Sequence, residues 1–196
     1  MKIAILFALA LAQDKKDETA EKLVKFKKGT AWTYDHTQGK VKKKAVVTAN
    51  EASDTALDFQ TKINVDDKKE EAESHVSSLE LKDGFVEWSG VVWTGRVGDF
   101  VHCLRLYKAG SKKDDTWDAA GKGEEMKWTA THKGVEELKV AAGTYKDAIH
   151  VELKVKSDDL TATLDLWLVP GVGMVKMKRS QSEEFTAELR EFTPGK

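Results

Sequence analysis

Histidine and cysteine are the side chains best suited to catalysis or metal binding, and their spacing in this chain predicts neither. The five histidines are scattered along the sequence: His36, His75, His102, His132 and His150. None of them belongs to an H-E-x-x-H or H-x-H pair, which are local spacings typical of metal sites. A site assembled across strands, for instance from His132 and His150, stays open as an alternative. The favoured interpretation places each lone histidine on the surface or rim of a strand.

Cys103 is the only cysteine, and its neighbour His102 raises the question of a catalytic thiol. Adjacent residues of a strand point to opposite faces, so His102 is badly placed to activate Cys103. We predict instead that Cys103 points inward as a small apolar side chain. A single cysteine also excludes an intramolecular disulfide.

Other catalytic patterns are absent as well. The sequence contains no G-x-S-x-G elbow, and Gly171-Val172-Gly173 has Lys176 where a dinucleotide-binding loop needs its third glycine. The 32 basic and 33 acidic residues give a net charge of −1, which offers no electrostatic basis for binding nucleic acid. We therefore predict a protein that is not an enzyme, with no cofactor and no metal.

The first twelve residues predict that the protein is exported. A basic start at Lys2 is followed by an apolar run from Ile3 to Ala12 and then by a strongly charged stretch, which is the pattern of a cleavable signal peptide. The run is too short for a transmembrane helix, which needs about 20 apolar residues. We predict a signal peptide at 1–12, a periplasmic or extracellular location, and no transmembrane segment in the mature chain.

The rest of the sequence alternates between apolar and polar residues. Leu57, Phe59 and Ile63 form one such face, and several others follow it, separated by turn residues. This alternation is typical of antiparallel strands with one face on a core. A sheet of about ten such strands must curl to cover its apolar side. The predicted fold class is all-β, a single antiparallel meander curled into a half-open or closed barrel, with at most a short N-terminal helix.

The predicted domain organisation follows from the same pattern. Residues 13–28 form an N-terminal lead-in, in which only 17–28 have helical spacing, and residues 29–196 form a single antiparallel β domain. Aromatic side chains with a polar tip suit the wall of a concave site. The candidate ligand wall or rim consists of Trp32, Tyr34, Trp88, Trp93, Trp128 and Trp167. Ordinary core and edge packing is the alternative for each of them.

Four segments carry a family resemblance: 29–34 (GTAWTY), 140–148 (VAAGTYKDA), 166–176 (LWLVPGVGMVK) and 188–192 (ELREF). The chain resembles a group of uncharacterised bacterial envelope proteins, domains of unknown function that show G-T-x-W-x-Y, V-P-A-G-T-[FY], W-x-A-P-G-V-G-x-V-K and E-L-x-x-F. It departs from them at Ala141, where the group has proline, and at Val169, where it has alanine. The resemblance implies export and a barrel-like sheet similar to lipoprotein-carrier folds. It implies no reaction and supplies no functional residues.

Two functions are favoured at this point, and an enzyme is the third and least favoured alternative. The first is a non-enzymatic cell-envelope protein whose concave sheet binds an apolar small molecule or a lipidated partner. The second is a structural or interaction module that has a filled core and contacts another envelope protein. The size of the cavity on the apolar side of the sheet separates them, since ligand pockets have volumes of about 300 Å³ or more.

Overall fold

The computed structural model describes residues 18–65, 73–91, 101–121, 126–156, 161–180 and 184–196. In these ranges it contains one short helix and twelve strands, which confirms the predicted all-β class. The elements are α1 (Glu18–Val24), β1 (Ala31–Gln38), β2 (Val41–Ala52), β3 (Ala56–Val65), β4 (Glu73–Lys82), β5 (Phe85–Val91), β6 (Val101–Lys108), β7 (Thr116–Asp118), β8 (Lys127–Val140), β9 (Gly143–Lys156), β10 (Thr161–Val169), β11 (Gly173–Ser180) and β12 (Phe185–Thr193). The predicted signal peptide at 1–12 lies outside the described residues and stays a prediction.

All twelve strands belong to one antiparallel sheet in the order β6-β5-β4-β3-β2-β1-β12-β11-β10-β9-β8-β7. Strands that follow each other in the sequence pair with each other, except β6 and β7, which form the two edges of the sheet, and β1 pairs with β12 at a seam. The N-terminal and C-terminal halves are therefore two meanders joined at the seam. The sheet curls into a nearly closed barrel, within the half-open or closed shapes that the sequence predicts.

The barrel closes between its two edges, β6 and β7. Beyond β7 the chain bonds to β6 through Arg105 N–H to Ala119 O at 2.9 Å and Gly121 N–H to Cys103 O at 2.7 Å. The buried Trp117 adds an indole N–H bond to the carbonyl of Arg105 at 2.9 Å. Closing these edges removes the unpaired backbone groups that an open sheet exposes. Two backbone hydrogen bonds and one indole hydrogen bond thus bridge the two edges.

The closing indole gives a first testable expectation. Trp117→Phe keeps most of the buried ring but leaves the Arg105 carbonyl without this partner, so we expect a loss of about 1–2 kcal/mol in the free energy of unfolding. Urea unfolding measures the loss. Trp128→Phe is a matched control on the inward face of β8. A loss in Trp117→Phe no larger than about 0.3 kcal/mol would show that the indole N–H is not needed for closure.

Alternation along the strands determines the core. On β9 the inward residues Ile149, Val151, Leu153 and Val155 are almost completely buried, and the residues between them face outward. Burying one such side chain contributes about 1.5–3 kcal/mol relative to leaving it in water. The apolar residues that alternate with polar ones in the sequence at 126–132, 149–155 and 185–189 are the buried ones in this pattern.

The turn between β10 and β11 also follows from the sequence. Pro170 and Gly171 occupy its central positions, Gly171 has a φ of +80°, and Val172 N–H donates to Val169 O at 3.0 Å. This is the geometry of a type II turn, which requires positive φ at its third residue. A Cβ on Gly173 would lie 3.5 Å from the rings of Phe26 and Trp32. That distance is an ordinary van der Waals contact, and it is the φ of +93° that favours glycine at this position.

Helix α1 covers the end of the barrel at which this turn lies. It packs against β4, β5 and β11 and buries Ala20, Leu23 and Val24. Gly171 N–H donates to the carbonyl of Lys22 at 2.9 Å, which ties the helix to the turn. The helix falls within 17–28, the one stretch in which helical spacing is present. In the described part of the chain, no helix is long and apolar enough to cross a bilayer.

The predicted inward orientation of Cys103 is wrong. On β6 it is Leu104 that faces inward, paired with Trp88 and 1% exposed, so Cys103 lies on the opposite face, paired with Ser89. The larger apolar side chain takes the interior, and alternation then leaves the cysteine outside. Cys103 is half-buried because Gly121 packs directly against its sulfur.

Candidate functional site

An apolar cavity of about 200 Å³ lies inside the barrel, partly enclosed by the sheet and by α1. Strands β1 to β6, β10 and β11 all contribute to its wall. Its lining residues are Leu23, Phe26, Trp32, Tyr34, His36, Ala45, Val47, Leu57, Phe59, Thr61, Ile63, Ser77, Leu79, Val86, Trp88, Leu104, Leu106, Leu164, Leu166, Leu168, Gly173, Met174 and Met177. Nearly all of these are hydrocarbon or aromatic, so the space favours an apolar occupant.

The size of the cavity lies between a packing defect and a typical ligand pocket. An engineered apolar cavity of about 150 Å³ stays dry and binds benzene. Pockets for drug-sized ligands start at about 300 Å³. At about 200 Å³ this cavity suits one narrow hydrocarbon chain better than a bulky ring system. Met174 and Met177 in its wall are unbranched and adapt to the shape of an occupant.

Two aromatic residues of β1 line the cavity, and their polar atoms already form hydrogen bonds within the protein. The indole N–H of Trp32 donates to Val172 O, and the Tyr34 hydroxyl donates to Met174 O at 2.8 Å. The ring of Phe26 packs edge-on against Trp32 at 5.0 Å between centroids. Burial raises the pKa of Tyr34 far above its ordinary value, so this phenol is neutral. The two rings therefore present apolar surface to the cavity.

His36 is the ionisable side chain of the cavity wall, apart from Tyr34. It is 8% exposed, and burial together with the nearby Lys43 lowers its pKa from 6.5 to about 4. His36 is therefore neutral at pH 7. The other polar lining residues, Thr61 and Ser77, carry only hydroxyl groups. The wall has no charge at neutral pH in the part of the chain that the structure describes.

Polar residues collect at the end of the interior that lies away from α1. Pairing places Lys43 opposite His36, and His36 opposite Ala187. In the next row Phe185 pairs with Gln38 on one side and with Arg179 on the other. Directly paired residues lie on the same face of a sheet, so Lys43, Gln38 and Arg179 share the inward face of His36. We call Lys43, His36 and Arg179 the polar end of the interior.

The outer face carries a separate polar cluster around Trp167. The imidazole of His150 stacks on this indole at 4.5 Å and bonds to Asp165 at 2.8 Å. The indole N–H donates to Glu136. The ammonium of Lys176 lies 5.7 Å from the ring centroid, in the range of a cation–π contact. These contacts link β8, β9, β10 and β11 on the outer face of the sheet.

The structure brings together some of the predicted wall residues and separates others. Trp32, Tyr34 and Trp88 line the cavity. Trp128 points inward and is buried in the core beside the cavity, and Trp167 lies on the outer face. Trp93 falls outside the described residues. As ligand-contacting residues, the six stay a prediction.

Histidines 132 and 150 do not form a site together. His132 is buried on the inward face of β8, bonded through Nδ1 to Ser111 at 3.2 Å, whereas His150 faces outward on β9. Sequence reasoning also missed His36, Met174, Met177 and Arg179 as interior residues. The only sequence signal for these residues was the alternation of inward and outward positions along a strand. On β1 the alternation that places Trp32 and Tyr34 inward also places His36 inward.

Comparisons with known proteins bear on the fold. No protein-family model matches the chain, and no curated protein matches it significantly. Among solved structures, a candidate exported protein with a YmcC-like fold from Bacteroides fragilis aligns with 87% of this chain and 98% of its own, at 12% identity and a TM-score of 0.54. A β-barrel-like protein of the domain of unknown function DUF1849 from Brucella abortus aligns with 88% of this chain and 100% of its own, at 10% identity and a TM-score of 0.46. The chain shares its barrel-like fold with the Bacteroides protein.

Proposed function

We propose that this chain is an exported, non-enzymatic binding protein that holds an apolar molecule inside its barrel. The observation that carries the proposal is the cavity of about 200 Å³, whose wall is apolar and uncharged. An empty apolar space of this size costs stability, because the side chains around it lose packing partners. A hydrocarbon chain would restore those contacts without needing any hydrogen bond from the wall.

Two further observations support the proposal. The polar atoms of Trp32 and Tyr34 are occupied by carbonyls of the β10–β11 region, so a ligand meets ring surface there. Leu23 and Phe26 form part of the wall but belong to α1 and the segment after it, not to the sheet.

Export is supported by the apolar run at 3–12, and the Bacteroides protein that shares the fold is described as a candidate exported protein.

The test is binding of 1-decanol, a narrow uncharged probe, followed by tryptophan fluorescence. Trp32 and Trp88 line the cavity, so its occupation should shift their emission. Ala45 is a fully buried lining residue, and Ala45→Leu puts hydrocarbon into the empty space. We expect the affinity for 1-decanol to fall at least tenfold, roughly 1.4 kcal/mol. The free energy of unfolding should stay within about 1.5 kcal/mol of the parent, because filling a void avoids overpacking.

Val46→Leu is the matched control, since Val46 adjoins Ala45 on β2 and faces outward. It should leave the affinity for 1-decanol unchanged. Native mass spectrometry after gentle purification adds an independent readout of any bound small molecule. A parent protein that shows neither a fluorescence response to 1-decanol nor a bound molecule would contradict the proposal. That outcome would favour the structural or interaction module with a filled core.

A further inference from the structure

Two hydroxyl groups interrupt the hydrocarbon wall of the cavity. They belong to Thr61 of β3 and Ser77 of β4, and both residues line the cavity. Phe59 pairs directly with Ser77, and Thr61 lies two positions further along β3 on the same face. Thr61 and Ser77 are therefore diagonal neighbours on adjacent strands, with about 7–8 Å between Cα atoms. A single polar group placed between their hydroxyls can contact both.

The other polar side chains of the wall interact inside the protein. The indole N–H of Trp32 and the hydroxyl of Tyr34 donate to carbonyls of the β10–β11 region. The imidazole of His36 packs against the ring of Tyr34, with 6.4 Å between centroids. Within the described residues, the hydroxyls of Thr61 and Ser77 form no hydrogen bond with the protein. A hydroxyl in an apolar wall without such a bond costs free energy, which a polar group of the ligand can recover.

The position of Ser77 depends on a glycine of the next strand. Ser77 is 5% exposed, and a Cβ on Gly90 of β5 would lie 2.5 Å from the Cβ of Ser77 and would overlap its hydroxyl oxygen. Gly90 does not have a positive φ, so space rather than backbone conformation requires glycine here. Packing therefore fixes where the Ser77 side chain lies in the wall.

The surroundings of the two hydroxyls favour an uncharged polar group. The lining residues carry no charge at pH 7 in the part of the chain that the structure describes, because Tyr34 and His36 are neutral. A charged group in this wall would lose its hydration without gaining an opposite charge. A hydroxyl or carbonyl group would only exchange its hydrogen bonds to water for bonds to Thr61 and Ser77.

We propose that the ligand is a hydrocarbon chain carrying an uncharged oxygen group, a hydroxyl or a carbonyl, and that Thr61 and Ser77 bind this group through hydrogen bonds. The inference rests on the proposed function and adds the polar part of the ligand and the place where it binds. Serine and threonine hydroxyls both donate and accept hydrogen bonds, so the pair suits either group. The rest of the chain then contacts the leucine, methionine and aromatic side chains of the wall.

The experiment compares octane, 1-octanol and 2-octanone, which have equal numbers of carbon atoms and differ in the oxygen group. Binding is followed by tryptophan fluorescence. Ser77→Ala and Thr61→Val each remove one hydroxyl and nearly keep the shape of the side chain. In each variant we expect the affinity for 1-octanol to fall about fivefold, since one hydrogen bond is lost. The affinity for octane should stay within about twofold of the parent, because octane forms no hydrogen bond.

The ketone distinguishes the two classes of ligand, because it accepts hydrogen bonds but cannot donate one. If the affinities for 1-octanol and 2-octanone both fall in the variants, the two hydroxyls donate to the oxygen of the ligand. If only the affinity for 1-octanol falls, the hydroxyls accept a hydrogen bond and the preferred ligand is an alcohol.

Two control variants remove hydroxyls that do not line the cavity. Ser78 adjoins Ser77 on the outer face of β4, and Thr48 lies on the outer face of β2. Ser78→Ala and Thr48→Val should leave the affinities for all three probes unchanged. Urea unfolding of every variant confirms that it is folded, and Ser77→Ala and Thr61→Val should be at least as stable as the parent, since each removes a hydroxyl from an apolar wall.

Two results would overturn the inference. One is affinity for 1-octanol and 2-octanone that survives both Ser77→Ala and Thr61→Val. The hydroxyls would then bind only water, which can reach Ser77 from a depression of about 220 Å³ on the outer side of β4 and β5. The other is an equal fall in the affinity for octane, which would mean that the substitutions changed the shape of the cavity. Failure of the proposed function looks different, because the parent then binds neither octane nor 1-octanol.

Discussion

Replacing Leu153 with alanine is expected to lower the free energy of unfolding by about 4 kcal/mol. Leu153 of β9 is 0% exposed and packs between Ala130 of β8 and Leu164 of β10. It does not line the cavity, and no part of it is exposed to solvent. The alanine variant therefore loses both the transfer energy of the leucine and the contacts around the new void.

Leu166 on β10 provides the matched comparison, since it is also a leucine, 3% exposed, but lines the cavity. One side of it already faces empty space, so Leu166→Ala should cost only about 2 kcal/mol. Urea unfolding of the two variants and the parent measures both losses. Equal losses in the free energy of unfolding would contradict the presence of a cavity beside Leu166, because they would mean that Leu166 is packed as completely as Leu153.

The second prediction with a large expected effect is a fall in the free energy of unfolding in acid. His36 has its pKa lowered to about 4 by burial, against 6.5 for an exposed histidine. Between these values the unfolded chain binds a proton that the folded protein does not, so unfolding becomes easier as the pH falls. We expect His36 to contribute a loss of about 3 kcal/mol from pH 7 to pH 4, with full stability above pH 6.5 and no further loss from this group below pH 4.

Replacing His36 with leucine removes this titration. Unfolding curves at several pH values should show parent stability falling towards pH 4 more steeply than that of His36→Leu. His150→Gln is the control, because His150 lies on the outer face and bonds to Asp165. It should leave the acid sensitivity due to His36 in place. Parallel pH profiles for the parent and His36→Leu would show that His36 is solvated and ionises normally in the folded protein.

Local features of the fold follow directly from the sequence. The alternation of apolar and polar residues identifies the buried face of each strand. Pro170 followed by Gly171 predicts a turn, and the structure contains the hydrogen bond of that turn. Alternation is a property of each strand alone, so it can be seen without knowing the partner strand. About ten strands were expected and the described residues form twelve; the three residues of β7 are too few to alternate visibly, which accounts for one of the two.

The polar end of the interior could not be predicted in the same way. Lys43, His36 and Arg179 come from three strands, and the β1–β2, β1–β12 and β11–β12 registers bring them together. Register depends on pairing between distant segments, which one sequence does not reveal. Polar residues are also expected outside, so a buried arginine goes against composition rules. The outward orientation of Trp167 was predictable, because an inward-facing Leu166 and Leu168 place the residue between them on the opposite face of the strand.

The seam between β1 and β12 has a consequence for the order of folding. The hydrogen bond between Arg190 and Asp35 spans 155 residues, so the seam forms only after nearly the whole chain is available. Each six-strand meander can form from local hairpins, whereas their union carries a large loop-closure cost and slows folding. Until β12 arrives, β1 is an unprotected edge at which a second nascent chain can pair. The seam is therefore the point at which intermolecular strand exchange competes with completion of the barrel.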